Sequence, residues 1–494
     1  MKKNVFNHLW MFVFGLACIL LTACSNNVEN RNAFEATSSL VESNKNIVSF
    51  GYIGAKNILD KTGYQKIPKI NVVLGNVVSK WGSGINLTEP IYFALEAPFD
   101  QQGNPKTAYA ILNVKNQDSI KAVISEMGYA LEKEKELTFY QENDVTFGMR
   151  NNLLYIIGKS GEYNGKEELL KLIEATEGDL STGKANDILT QKADIVTGVS
   201  FERLLETSNT DLAKLDETKK KELKNLITDA YIQTTVQFLD GKLVVEAKNL
   251  FSEELKNTLF FKDKNGTTLI QKLGGGKPWM GLSANLDLRK AEDFLTTYLP
   301  ESRKKINQLL PGEINFALMS LGEKPLAKLF SGQLGFVATG DAKSALGMEF
   351  QFAAFLGLGQ KGDVIKSIVD EQLSAIGEKN GDTYTVFGTN KIKTTKEGIY
   401  VNSGVTETGK INLPSYIKRF GEDSFDFFIA FDQIDVASLE LEDEMKVLEI
   451  LKYFTIHIDR EGTTIEVVSK NSQGNILKQV ADFYKNQLLD EIGA

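Results

Sequence analysis

Few side chains in this sequence can act as nucleophiles or metal ligands. It holds 2 histidines, His8 and His457, and 2 cysteines, Cys18 and Cys24. His8 and Cys18 fall within the first 23 residues, which read below as a leader that is removed, so His457 and Cys24 alone remain. They are too few for a zinc site of the Cys/His type, and a serine triad or cysteine dyad needs an imidazole beside its nucleophile. In Thr455-Ile456-His457-Ile458 the histidine alternates with isoleucines, which places it with Thr455 on the polar side of a strand. That favours a structural histidine, with no metal site, no cofactor site and no catalytic imidazole. Carboxylates remain, because a glycosidase needs only two acids flanking a cleft. Asp287 and Asp432 each end an alternating strand, but Glu202 stands at the matching place of a third copy and all three precede a helix. Capping and the helix dipole explain such acids. The run Glu440-Leu441-Glu442-Asp443-Glu444 reads as a solvated helix face.

Two glycine-rich stretches invite a phosphate reading. Gly357-Leu358-Gly359-Gln360-Lys361-Gly362 fits the spacing of a dinucleotide loop between strand and helix. The acidic residue that would hold a ribose is missing from the strand Thr383–Phe387, so a tight strand–helix turn is the expectation. Gly274-Gly275-Gly276-Lys277-Pro278 is no P-loop, since Pro278 stands where a magnesium-binding hydroxyl belongs. It reads as a linker.

The start of the chain is more informative. Met1-Lys2-Lys3 is basic, the run from Leu9 to Leu20 is mostly apolar, and Leu21-Thr22-Ala23-Cys24 follows. This is the layout of a secretory signal, too short for the ~20 apolar residues of a comfortable membrane span. Leu21, Ala23 and Cys24 resemble, position for position, a bacterial lipobox. The resemblance implies signal recognition through Leu21 and Ala23, cleavage before Cys24, and lipid on the Cys24 sulfur and new amino group. Several acyl chains on one residue hold a soluble body at a bilayer where one does not. With Cys18 lost in the leader, no intramolecular disulfide is possible. Residues 24–45, rich in Asn, Ser and Glu, read as a flexible tether. Ser25, rather than an aspartate, follows the cysteine, which by analogy with sorting rules indicates the outer membrane, and the periplasmic face is preferred.

At 494 residues the chain is about three times the ~150 expected of one domain. Its 42% hydrophobic and 24% charged residues suit a globular body, and its net charge of −9 speaks against nucleic acid as a partner. A gapless offset of 245 residues sets Asp118–Glu126 on Asp363–Glu371 and Leu154-Tyr155-Ile156 on Ile399-Tyr400-Val401. Each stretch has a strand pair, a helix with Asp118 or Asp363 available to cap its first turn, then short strands. Hairpin patterns recur around Asp240-Gly241 and around Asp459–Gly462. The expected fold is α+β: two similar lobes from an internal duplication, 46–273 and 277–494, with largely antiparallel sheets and helices packed on one face.

Together, the lipobox, the Asn-rich tether, the phrase Gly84-Ile85-Asn86-Leu87-Thr88-Glu89-Pro90-Ile91-Tyr92-Phe93 and the strand–Asp118–helix unit resemble a family of duplicated lipoproteins of unknown function from Gram-negative envelopes. That family implies the architecture and brings no catalytic residues. The sequence therefore points to a non-enzymatic binding or structural module, joined to the membrane by lipid on Cys24, with an envelope protein, glycan or lipid as ligand. A carboxylate-dependent hydrolase of envelope or extracellular polymers and a carrier of an apolar ligand are the alternatives. Two unpaired facing acids in a pocket would mark the first, and a continuous apolar cavity the second.

Overall fold

The computed structural model describes residues 31–67, 70–100, 104–134, 136–142, 144–159, 163–178, 183–207, 215–262, 273, 276–301, 304, 312–340, 351–388, 390–404, 411–417, 419–439 and 443–485. Leu21, Ala23 and Cys24 lie outside them. Contacts divide the chain into two compact units, Met1–Ser208 with Asp229–Leu243 and Gln473–Ala494, and Asn209–Thr228 with Val244–Ser472.

In the first unit, the alternating run Ile47–Ile53 forms β1, followed by β2 (Ile91–Phe99), β3 (Pro105–Asn113), β4 (Glu132–Glu134), β5 (Leu137–Glu142), β6 (Val145–Arg150), β7 (Leu153–Lys159), β8 (Ile195–Ser200) and β9 (Tyr231–Leu239). They pair antiparallel in the spatial order β4-β5-β6-β7-β3-β2-β1-β8-β9. Its helices include α1 (Ala33–Ser43), α2 (Ala55–Thr62), α3 (Ile70–Gly82), α4 (Gln117–Glu126) and α5 (Gly165–Thr176). Successive residues of a strand face opposite sides, and both sides are covered here. Leu154 packs with Val78 of α3 and Ile120 and Ile124 of α4. Its neighbour Tyr155 bonds Thr176 of α5 at 3.2 Å. Helices on one face were expected; the unbroken apolar run Leu153-Leu154-Tyr155-Ile156-Ile157, all buried, is what a strand covered on both faces requires.

Two local expectations change. Within the tether expected over 24–45, residues 33–43 form α1, where Asn32 Oδ1 accepts from Glu35 N at 2.9 Å and Glu35 Oε2 accepts from Asn32 N at 3.1 Å. This capping box starts a helix with Ala33, Ala36, Leu40 and Val41 buried. In α4 the cap is Asn116, which accepts from Ser119 N at 3.0 Å. Asp118 instead pairs with Lys121 at 2.9 Å. In the second unit, Asp363 opens its helix after Gly362, a cap without a side-chain hydrogen bond.

The second unit contains β10 (Lys242–Leu250, from Val244), β11 (Met280–Asn285), β12 (Phe330–Thr339), β13 (Gln351–Leu358), β14 (Gly377–Asn380), β15 (Thr383–Val386), β16 (Asn390–Thr394), β17 (Gly398–Ser403), β18 (Phe425–Ala430), β19 (Leu451–Asp459) and β20 (Gly462–Ser469). The antiparallel order β14-β15-β16-β17-β13-β12-β11-β18-β19 repeats that of the first unit, with β20 beyond β19. At the 245-residue offset β3 falls on β13, and β4 through β7 fall on β14 through β17. The fold is α+β with antiparallel pairing throughout these strands.

The boundaries differ from a simple cut near 273. Beyond Leu243 the chain joins the second unit, where Asn249 N donates to Glu461 O at 2.8 Å. The segment from Gln473 belongs to the first, where Asn475 Nδ2 donates to Phe238 O at 2.8 Å and Ala481 packs near Tyr64 and Ile67.

Close packing at one glycine makes a test. A Cβ on Gly281 of β11 would lie 2.4 Å from Phe428 Cε1 and 2.9 Å from Phe420 Cζ, two rings set edge to face at 4.9 Å. Gly281→Ala is expected to cost about 1–3 kcal/mol in urea denaturation, the usual range for overpacking.

Candidate functional site

The first unit holds a pocket of about 600 Å³, lined among others by Tyr52, Lys56, Asn57, Asp60, Lys61, Thr88, Glu89, Lys192, Asp194 and Gln237. Its organiser is Asp194, 2% exposed. On α2, Asn57 and Lys61 are four residues apart and so share a face. Lys61 Nζ lies 2.6 Å from both oxygens of Asp194, and Asn57 Nδ2 donates to Oδ1 at 2.5 Å. Phe238 N donates to Oδ2 at 2.6 Å. Tyr52, in β1, accepts from Ala193 N at 3.1 Å and donates to Gln191 O. Burial pushes its phenol upward.

The other two acids of this pocket are also held. Asp60 pairs with Lys56 at 2.5 Å. Glu89 accepts from Asn86 Nδ2 at 2.7 Å and from Asn113 Nδ2. Desolvation raises the Glu89 carboxyl above its usual range, opposed by the Asn113 and Asn86 hydrogen bonds. Each of the three acids lining this pocket thus has a fixed hydrogen-bond or ion-pair partner.

A buried carboxylate recurs in the second unit. Asp426 in β18 is 0% exposed and registers with His457 in β19. In the first unit Asp194 lies one step beyond the Ile195–Val236 pair, next to Gln237 in the partner strand. Asp426 Oδ2 accepts from Gly421 N at 2.8 Å and Asp423 N at 3.1 Å. His457 Nδ1 is 2.5 Å from Asp426 Oδ1 and 3.4 Å from Asp423 Oδ2. Arg419 Nη2 donates to both oxygens of Asp423 at 2.8 Å. Burial disfavours the imidazolium, but the hydrogen bonds to Asp423 and Asp426 outweigh it and push His457 up to about 9.

Thr455 and His457 were expected on the polar side of their strand, away from the isoleucines. Thr455 is 3% exposed, and the two share their face with Phe428 and Asp426, beneath Ile417 and Phe420. Protonated His457 thus fastens the 419–424 segment to the sheet. A pKa raised above the unfolded value means stability fully present below pH ~6.5 and lost as pH rises through the folded value. The urea midpoint of the second unit is expected to fall between pH 6.5 and 9, and His457→Gln to remove that slope.

Asp423, Asp426 and His457 each offer one ligand atom within 4.8 Å of the others. Two ligands on a tetrahedral zinc, each ~2.1 Å away, stand roughly 3.4 Å apart. In the arrangement described, the 2.5 Å His457–Asp426 contact is a hydrogen bond, shorter than that ligand spacing, and Arg419 supplies positive charge beside Asp423. Nor do these residues form a triad with Ser283, which registers with Asp426 on the far side from His457. Two strand spacings, roughly 10 Å, separate Ser283 from the imidazole, whereas a nucleophile must touch its base.

The remaining candidates resolve locally. Asp287 caps a helix, accepting from Arg289 N at 3.1 Å and Lys290 N at 3.2 Å. Glu202 sits in a first helical turn and accepts from Asp229 N at 3.3 Å, while Asp432 accepts from Tyr416. In the glycine motif, Gly359 N and Lys361 N donate to Leu329 O and Lys328 O at 2.8 Å. A Cβ on Gly359 would sit 2.5 Å from Lys328 O. Those N–H groups are spent on the chain itself, which is a tight turn and no phosphate cradle. Gly274, Gly275 and residues 440–442 lie outside the described residues. No described helix is long and apolar enough to cross a membrane.

No protein family and no curated protein matches the chain. Among solved structures it is similar to TP0453 in crystal forms III, I and IV, at 10%, 10% and 11% identity with TM-scores of 0.28, 0.21 and 0.22. These alignments cover 48%, 77% and 76% of this chain and 91%, 95% and 96% of those. Superposition this loose carries neither fold nor function across.

Proposed function

We propose that this protein is a lipid-anchored cell-envelope binding module: two α+β units of common ancestry, moored through acyl chains on Cys24 after cleavage behind Leu21-Thr22-Ala23. The outer membrane is its site, with the body facing the periplasm. Its binding function resides in the polar pocket of the first unit. The observation that carries this reading is the way Asp194, Asp60 and Glu89 are each held by fixed partners around that space. A hydrolase would need one acid poised to give a proton and another free to attack or activate water. A carrier of acyl chains would need an apolar lining, and this one carries Lys56, Lys61, Lys192, Asn57 and Gln237.

The reading is tested by ligand-observed NMR with a library of small polar compounds on the full-length protein in dodecyl maltoside. Thr88, exposed and lining the pocket, is the place for a plug. Hits displaced by Thr88→Trp support a pocket receptor; hits that ignore the plug, or turnover of a polymer abolished by Glu89→Gln, contradict it.

A further inference from the structure

The charges around the pocket do not all cancel in pairs. Lys61 is committed to Asp194 and Lys56 to Asp60. Two groups are left over. Lys192 is exposed and, among the described residues, has no ion-pair partner. Glu89 is held by two amides, Asn86 and Asn113, and, among the described residues, by no cation. Both line the same space.

An ammonium without a carboxylate partner and an amide-held carboxylate without a cation, in one pocket, set the ligand's charge pattern. A purely anionic ligand would satisfy Lys192 and meet repulsion from Glu89, and a purely cationic one would do the reverse. Such mismatches penalise the wrong partner more than a good contact rewards the right one. Resting on the pocket reading above, we infer that the ligand is a small zwitterion, with an oxyanion received by Lys192 and a primary ammonium received by Glu89. Gln237, whose amide donates to Lys192 O at 3.4 Å, and Asn57 supply neighbouring polar groups. A volume of about 600 Å³ accommodates such a molecule, within the usual range for small-ligand sites. This chemistry has two envelope sources: free amino acids or short peptides, and the phosphoethanolamine headgroup of a lipid.

Calorimetric titration of the full-length protein in dodecyl maltoside separates them. The probes are alanyl-alanine and phosphoethanolamine, with acetate, methyl phosphate and ethylamine as single-charge controls. At least one zwitterion is expected to bind tenfold or more tighter than any control, and its identity names the source. Lys192→Gln and Glu89→Gln should each erase that advantage. Zwitterions no tighter than controls, or binding untouched by both variants, would overturn the inference. If a control binds best and Thr88→Trp removes it, the pocket stands as a site and only its zwitterion preference falls. If no probe responds to the plug, the pocket reading itself fails.

Discussion

Asp426→Ala is expected to destabilise the second unit by about 3–5 kcal/mol, the range for removing one partner of a buried charge pair. The variant leaves the His457 imidazolium, 13% exposed at its side chain, with only Asp423 at 3.4 Å. It also strips Gly421 N and Asp423 N of their acceptor, and an unsatisfied buried donor costs its full desolvation. Asp426→Asn keeps the shape and one acceptor oxygen and should lose less. Trp279 lies in this unit and is 9% exposed, so its fluorescence in a Trp81→Phe background, in the protein without the leader and its Trp10, reports the urea transition. A loss under 1 kcal/mol would mean that the 419–424 segment is held by its apolar residues alone.

Asp194→Ala should have the second large effect, about 3 kcal/mol, at the lower end of the same range. The side chain of Lys61 is 24% exposed, so the freed ammonium can turn to water, which the His457 ring does less readily. Asn57 Nδ2 and Phe238 N lose their acceptor. Because Asp194 fixes α2 against the start of β8, ligand binding in the pocket should disappear with it even where the unit stays folded. Trp81, packed partly buried against the core of the first unit, reads this transition in a Trp279→Phe background of the same leaderless protein. Asp194→Asn with undiminished binding would show that the pocket does not depend on this ion pair.

The fold was legible where apolar residues keep a period. Leu154-Tyr155-Ile156 over Ile399-Tyr400-Val401 reflects β7 and β17, each paired to the strand corresponding to β3. α1 was missed because most of its buried residues are small or hydroxylated, Ala33, Ala36, Thr37, Ser38 and Ser39 beside Leu40 and Val41, a composition shared with linkers. The exchange of segments between the units escaped for another reason: Asn475 meeting Phe238 is a pairing of distant residues with no local signature. The buried carboxylates did leave a trace. Asp194 is in phase with Val196, Gly198 and Ser200, all buried, and Asp426 with Phe428 and Ala430. A charge in step with the covered face of a strand demands a partner, whereas Asp287 and Asp432 drew attention only by standing at strand ends. Their partners, Lys61 and His457, could not be assigned without the sheet register.

Mass spectrometry of the native protein from a membrane fraction tests the central claim most directly, that a non-catalytic receptor body is moored by lipid. The account predicts a chain beginning at Cys24 with a diacylglyceryl thioether on its sulfur. An intact leader, or a free Cys24 thiol on a protein recovered from the soluble fraction, would contradict it.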